Sequence, residues 1–241
     1  PAVTETGLVE HLFSTRMGGV SKGIFATMNL SFTRGDEEAA VQENFRRIAE
    51  VMHGKKEDFV CSDQTHTVNI RKVTKEDKGK GVLREKDYRD IDGLVTDEPG
   101  IILSCFFADC VPLYFLDTKK KVIGLAHSGW RGTVNRMGRE MTAFMEKEYG
   151  CRKEDMIAAV GPSICADCYE VSEDVADAFR REFGEDVLSA GREEGKYQLD
   201  LWRANEKVLL DAGLTGAQIS VTDICTCCNE DKLFSHRASK G

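Results

Sequence analysis

The sequence predicts a single mixed α/β domain of 241 residues. Three observations carry that expectation. Short runs rich in β-branched and aromatic residues, at 101–116, 122–126 and 156–160, have the length and composition of buried strands. Between and around them lie segments with helical apolar spacing, at 36–51, 134–149, 172–183 and 200–212. No linker, internal repeat or low-complexity tract divides the chain, so one domain is expected to span residues 1–241.

In chain order, residues 11–35 begin with a short apolar piece and turn irregular and glycine-rich. Arg16 followed by Gly18-Gly19 is either a plain surface turn or a cation beside backbone that can approach a ligand closely. The segment 36–51 reads as a helix capped by Asp36, with Ala40, Val41, Phe45, Ile48 and Ala49 on one face. Residues 59–73 read as strand, short break, strand, and His66 lies at the break. The charged, glycine-punctuated stretch 75–90 reads as a solvated loop, and Asp92-Gly93 as a turn entering the strand 92–96.

The apolar runs 101–116 and 122–126 flank a charged tip, 117–121, and read as two paired strands that bring Cys110 and His127 onto one face. Small residues follow at 128–133, then a helix over 134–149. Such a loop leaves backbone N–H groups unpaired at a helix start, an expected anion site with Arg131 inside it. A strand at 156–160 ends at Gly161-Pro162-Ser163. Helices capped by Ser172 and Asp200 come next, then a strand at 219–224, and residues 233–237 read as a short strand or edge.

Composition narrows the function classes. The apolar fraction of 41% and charged fraction of 31% are ordinary for a globular protein. A net charge of −8 without a basic stripe argues against nucleic acid as a partner. No apolar run approaches the roughly twenty residues of a membrane span, and no signal peptide is visible ahead of the first strand. Nine cysteines are too many and too odd for a simple disulfide framework in a chain this long. Several sit in apolar strand patterns, so the expectation is a reduced, cytoplasmic protein. Cys165-x-x-Cys168 has the form of a metal or redox pair but no second pair at zinc-ribbon spacing to support it, and the group Cys225, Cys227 and Cys228 lacks the usual ligand spacings and is read as core packing.

His66, Cys110 and His127 stand apart among the metal-ligating residues, each at a strand end in a polar, small-residue context. Two imidazoles and one thiolate leave a fourth tetrahedral position open, the arrangement of catalytic zinc, which brings bound water toward a pKa of ~7. Asp109, next to Cys110, is the expected outer partner of a ligand. The same residues also permit a cysteine hydrolase with Cys110 as nucleophile and His127 as base.

The motifs Ser14-Thr-Arg16-x-Gly-Gly, Gln64-Thr-His66, Asp92-Gly-Leu-Val-Thr, Ala108-Asp-Cys110, Ala126-His127-Ser-Gly-Trp-Arg131-Gly, Gly161-Pro-Ser-Ile, Tyr169-Glu-Val and Asp200-Leu-Trp span nearly the whole chain. Together they resemble the YfiH family, the laccase-domain or multicopper polyphenol oxidase family. The resemblance implies a four-layer α/β/β/α sandwich with mixed sheets and metal ligands at His66, Cys110 and His127. On this reading Arg16, Arg131 and Ser128 are the expected phosphate and substrate contacts, with Gln64 and Asp109 behind the ligands. The activity implied is zinc-dependent phosphorolysis of purine nucleosides (adenosine, inosine, methylthioadenosine), with deamination of adenosine; no residue is assigned as general acid or base. Ser128 replaces a commoner alanine, and the family's last strand is expected to be missing beyond Gly241.

Three other readings accompany this one: the Cys–His hydrolase, a copper-dependent polyphenol oxidase, and a non-enzymatic peptidoglycan-quality factor that retains zinc without turnover. Copper can enter a Cys/His₂ site in vitro. A blue-copper oxidase, however, needs a type 1 site and a trinuclear cluster, and five histidines with no His-x-His cannot furnish them. Nothing in the sequence sets the oligomeric state.

Overall fold

Residues 111–128 fold into the hairpin on which every other layer is assembled. The computed structural model describes residues 2–239. Along the chain come the helices α1 (Ala2–Glu5) and α2 (Glu38–Val51), then strands β1 (Phe59–Cys61), β2 (Ile70–Lys72), β3 (Gly93–Thr96), β4 (Ile102–Ser104), β5 (Val111–Asp117) and β6 (Val122–Ser128). Helices α3 (Trp130–Val134) and α4 (Met137–Tyr149) follow, then β7 (Met156–Val160), β8 (Glu170–Ser172), α5 (Glu173–Phe183), β9 (Leu188–Ala190) and β10 (Lys196–Leu199). The last elements are α6 (Leu201–Asp211), β11 (Ile219–Val221) and α7 (His236–Ser239).

Six strands make one mixed sheet in the order β11-β7-β5-β6-β3-β2. β5 and β6 pair antiparallel from Val111↔Ser128 to Asp117↔Val122, which puts Pro112 opposite His127 at the end where Cys110 leaves the ladder. The edge strands β2 and β11 each run parallel to their neighbour. β8, β10 and β9 form a small antiparallel sheet, and β1 with β4 a parallel pair.

Side-chain alternation along the strands sorts the chain into layers. Val111, Leu113 and Phe115 of β5 face Met141 and Met145 of α4 and Val208 and Leu209 of α6 in the largest core. An added Cβ on Gly124 would lie 3.2 Å from Met141 Sδ, so the glycine lets α4 settle against β6. On the opposite face of the six-stranded sheet, Leu94 and Val73 meet Val60 of β1 and Leu103 of β4. Phe59, Cys61 and Ile102 point the other way, onto Val41, Phe45 and Ile48 of α2. Each fully buried side chain of this size contributes roughly 1.5–3 kcal/mol of transfer free energy. The order is helix, sheet, sheet, helix: the mixed α/β architecture with several sheets, in the α/β/β/α arrangement that the resemblance implied. No helix among the described residues is long and apolar enough to cross a membrane.

Several boundaries differ from the sequence reading. The run 101–116 is not one strand: β4 belongs to the two-stranded layer, and residues 105–110 cross back to begin β5 in the six-stranded sheet. Hydrophobicity alone does not distinguish two layers that are both buried. Asp36 does not cap α2; its carboxylate accepts from the Asn29 amide and the Glu37 N–H, both at 2.9 Å, and the helix starts at Glu38. The expected helix at 134–149 begins at Met137, because Arg136 adopts φ 60° and separates it from α3. The last strand of the sheet stops at Val221 rather than 224. Residues 233–237 form no strand; α7 turns there instead. Asp200 caps α6 as expected, accepting from the Arg203 N–H at 2.9 Å.

Candidate active site and metal centre

The end of the β5–β6 hairpin, the loop before β2 and the turn before β5 converge. They bring together His66, Cys110 and His127, whose ligand atoms all lie within 4.8 Å of one another. The two imidazole rings stand 5.0 Å apart at 72°. His127 is buried, Cys110 half-buried and His66 exposed, so the cluster opens to solvent on the His66 side.

Asp92 organises this arrangement, and it was not among the expected site residues. It is fully buried. Its Oδ1 accepts the Nδ1–H of His127 at 2.8 Å and the His66 N–H at 3.2 Å. Its Oδ2 accepts the N–H groups of Thr65 and Thr67 at 3.1 and 2.8 Å and the Thr67 hydroxyl at 2.9 Å. Three successive backbone N–H groups on one carboxylate hold the turn that places His66 at φ 67°, a left-handed conformation that β-carbons disfavour. The bond to Nδ1 fixes the His127 tautomer and leaves Nε2 with a lone pair for a ligand. In the sequence Asp92 stood only as part of the motif Asp92-Gly-Leu-Val-Thr, and an isolated acid at a turn entering a strand carries no periodic signal of its role.

The electrostatics match. Desolvation alone pushes the Cys110 thiol up, but hydrogen bonds from His127 and His66 outweigh it and bring the thiol down to about 7. Burial alone lowers His127, but its bonds to Asp92 and Cys110 overcome that and raise it to about 9. Each group thus favours the charged form of the other, the thiolate beside the imidazolium. The space between the ligands is kept by Gly129, where an added Cβ would sit 2.9 Å from Cys110 Sγ and 3.1 Å from His66 Cδ2. One thiolate and two imidazoles around a glycine-lined gap suit a single late first-row metal ion with a fourth position open.

The other expected residues are placed differently. Asp109, itself at φ 89°, accepts the Thr226 hydroxyl and the Arg237 N–H, each at 2.7 Å, and so braces the turn that presents Cys110. Gln64 clamps the neighbouring loop, accepting the Phe106 N–H and donating to the Phe106 carbonyl, both at 2.7 Å. Ser128 is turned away from the cluster. Its hydroxyl is fully buried and donates to Asn205 Oδ1 at 2.9 Å. Two of the five Arg16 donors are taken by the carbonyls of Ala26 and Glu230, both at 2.9 Å, and its guanidinium stacks on Phe234. Arg131 is exposed, stacks over Trp130 at 4.3 Å and makes no ion pair among the described residues. Phe107 lies 5.7 Å from the His127 ring and 6.0 Å from Phe13.

The cysteines read as packing form a second cluster. The Sγ atoms of Cys165, Cys168, Cys225 and Cys228 also lie within 4.8 Å of one another. The signal was present in the sequence as Cys225-x-x-Cys228, obscured by the intervening Cys227.

Known proteins resemble this one along nearly its whole length. The purine nucleoside phosphorylase YlmD of Bacillus subtilis is 38% identical over 231 residues, covering 95% of this chain and 83% of its own. The adenosine deaminase RL5, from an unknown prokaryotic organism, is 31% identical, covering 93% and 87%. The crystal structure of the Bacillus licheniformis protein YfiH superposes with a TM-score of 0.90 at 35% identity, covering 94% and 86%. With a match over residues 10–241 to the family described as multi-copper polyphenol oxidoreductase laccase, the chain belongs to that family.

Proposed function

We propose that this chain is a zinc-dependent purine nucleoside phosphorylase that also deaminates adenosine. The observation that carries the reading is the convergence of His66, Cys110 and His127, with the Asp92 carboxylate on His127 Nδ1. The names of the relatives, phosphorylase for one and adenosine deaminase for another, support it. When bound, the metal supplies Lewis acidity at an open coordination position.

The chain's own residues do the rest. Asp92 keeps the proton on Nδ1 of His127 so that Nε2 faces the ligand gap. Cys110 contributes a thiolate already favoured near neutral pH. Arg131, exposed and without an acidic partner among the described residues, orients phosphate as a bidentate cation. Phe107 offers an aromatic wall for the purine beside His127. In phosphorolysis, a phosphate oxygen forms the new bond at ribose C1′ while the glycosidic bond breaks, and the base leaves with that electron pair and takes up a proton. In deamination, water adds at purine C6 and ammonia departs. The reading places the enzyme in the cytoplasm, supported by cysteines used as core residues, such as the buried Cys61 and Cys151.

The decisive test incubates metal-analysed protein with adenosine, with and without phosphate, and resolves the products by chromatography. Adenine formed only with phosphate, together with slower inosine, is the expected result. A protein that consumes no nucleoside, but whose amide hydrolysis is blocked by a cysteine alkylator, would make Cys110 a nucleophile and overturn the reading.

A further inference from the structure

The tetracysteine cluster lies outside the catalytic arrangement. Cys165 and Cys168 bracket the turn after Ser163, and Cys225 and Cys228 bracket a turn beyond β11. Each pair has two intervening residues, the spacing of a zinc knuckle, and 56 residues separate the pairs (Cys168 to Cys225).

The sulfur spacing is that of a metal site rather than of a disulfide. Cys168 Sγ and Cys228 Sγ are 3.4 Å apart, and all four sulfurs fall within 4.8 Å. A disulfide requires about 2.05 Å. A tetrahedron with metal–sulfur bonds of about 2.3 Å has sulfur–sulfur edges of about 3.8 Å, within the observed spread. The backbone N–H groups of Cys165 and Cys228 both donate to Cys225 Sγ at 3.3 Å, one from each knuckle, a pattern that favours a thiolate there. The guanidinium of Arg237 donates to the Cys168 and Glu170 carbonyls at 3.3 and 3.0 Å, which brings positive charge to the cluster. The two knuckles are also joined by backbone: the Ser163 N–H donates to the Ile224 carbonyl, and the Thr226 N–H to the Ser163 carbonyl, each at 3.1 Å.

We propose that Cys165, Cys168, Cys225 and Cys228 bind one structural zinc ion as a closed tetrathiolate site, independent of the reaction carried out at His66. On binding, each thiol gives its proton to solvent, four zinc–sulfur bonds form, and nothing is oxidised or reduced. The ion staples the segment 225–237 to the loop after β7. That segment carries the Thr226 hydroxyl and the Arg237 N–H, the two groups that hold Asp109 next to Cys110. The four cysteines are thus a fold staple behind that turn.

The test counts metal. Protein produced in zinc-supplemented medium and desalted under reductant should carry two zinc ions per chain by elemental analysis. His66→Ala should retain one, and Cys228→Ser, at an exposed position, should also retain one. Cobalt(II) reconstitution of His66→Ala should show the intense visible bands and the thiolate-to-cobalt charge transfer of four sulfur ligands. Wild-type protein with a single zinc that is lost in His66→Ala overturns the proposal. So does a denatured, unreduced mass low by two or four hydrogens in protein kept under reductant, which would mark disulfides in place of the metal site.

Discussion

Replacing Asp92 by asparagine isolates what that carboxylate does, because it preserves shape and removes only charge and one acceptor. Every group facing Asp92 is a donor: three backbone N–H groups, the Thr67 hydroxyl and His127 Nδ1. The asparagine NH₂ must therefore meet donors in either orientation. In place of Oδ2 it leaves the Thr65 and Thr67 N–H groups without acceptors, although the Thr67 hydroxyl can turn to accept. In place of Oδ1 it leaves the His66 N–H unpaired and opposes the His127 Nδ1–H, which drives that ring to the other tautomer and removes its Nε2 lone pair. Two lost buried donors at 1–3 kcal/mol each amount to roughly 2–6 kcal/mol of stability. For a chain of this size that lowers the melting temperature by at least about 4 °C. Disrupted ligand support of this kind typically costs 10–100-fold in metal affinity. Calorimetry of the metal-free protein and competition against a chromophoric chelator measure the two effects separately. A variant with unchanged melting temperature and unchanged affinity would refute the role assigned to Asp92.

Gly129→Ala, whose Cβ would sit 2.9 Å from Cys110 Sγ, should lose catalytic-site metal while remaining folded, read by elemental analysis and circular dichroism. Iodoacetamide labelling of Cys110 in the metal-free protein should climb as pH rises through about 7, whereas an ordinary thiol climbs near 9; metal should suppress it, and peptide mapping reads the site. Arg131→Ala should raise the KM for phosphate about 10-fold or more, by loss of a charge-assisted bond of roughly 1.5–3 kcal/mol, with little change in melting temperature. Ser128→Ala should behave in the opposite way: about 1 kcal/mol less stable through the lost bond to Asn205, with the KM for phosphate unchanged in steady-state kinetics.

What was legible in the sequence followed from local chemistry. The hairpin was visible as two β-branched, aromatic runs, 101–116 and 122–126, separated by a charged tip, although only 111–117 and 122–128 make its strands. His66, Cys110 and His127 stood out as ligand types at strand ends, and the fold brings their atoms together. The rest depended on tertiary position. Ser128 was expected at the site because it adjoins His127, yet the α3–α6 packing turns its hydroxyl onto Asn205. Asp109 looked like a ligand partner because it adjoins Cys110, but its left-handed backbone aims the carboxylate at Thr226 and Arg237. Asp92 is 35 residues from the histidine it orients, and 56 residues lie between the cysteine pairs; no window of local sequence spans either distance.

The donor sets also decide between the family's descriptive name and a mononuclear site. Multicopper oxidation needs a trinuclear cluster rich in imidazole, yet among the described residues only His66 and His127 share a cluster. His11 is hydrogen-bonded to Thr4, and His53 stands 4.0 Å from Glu10 on the surface. The second cluster is all sulfur, closed and without an imidazole, which suits a structural ion and offers no open position for oxygen. A single imidazole-and-thiolate site with one open face is equipped for polarising a substrate, not for storing the four electrons that oxygen reduction requires. Purified protein loaded with copper at the catalytic site should therefore oxidise a phenolic substrate no more than stoichiometrically, measured by oxygen uptake; sustained multiple turnovers per copper would refute the mononuclear assignment.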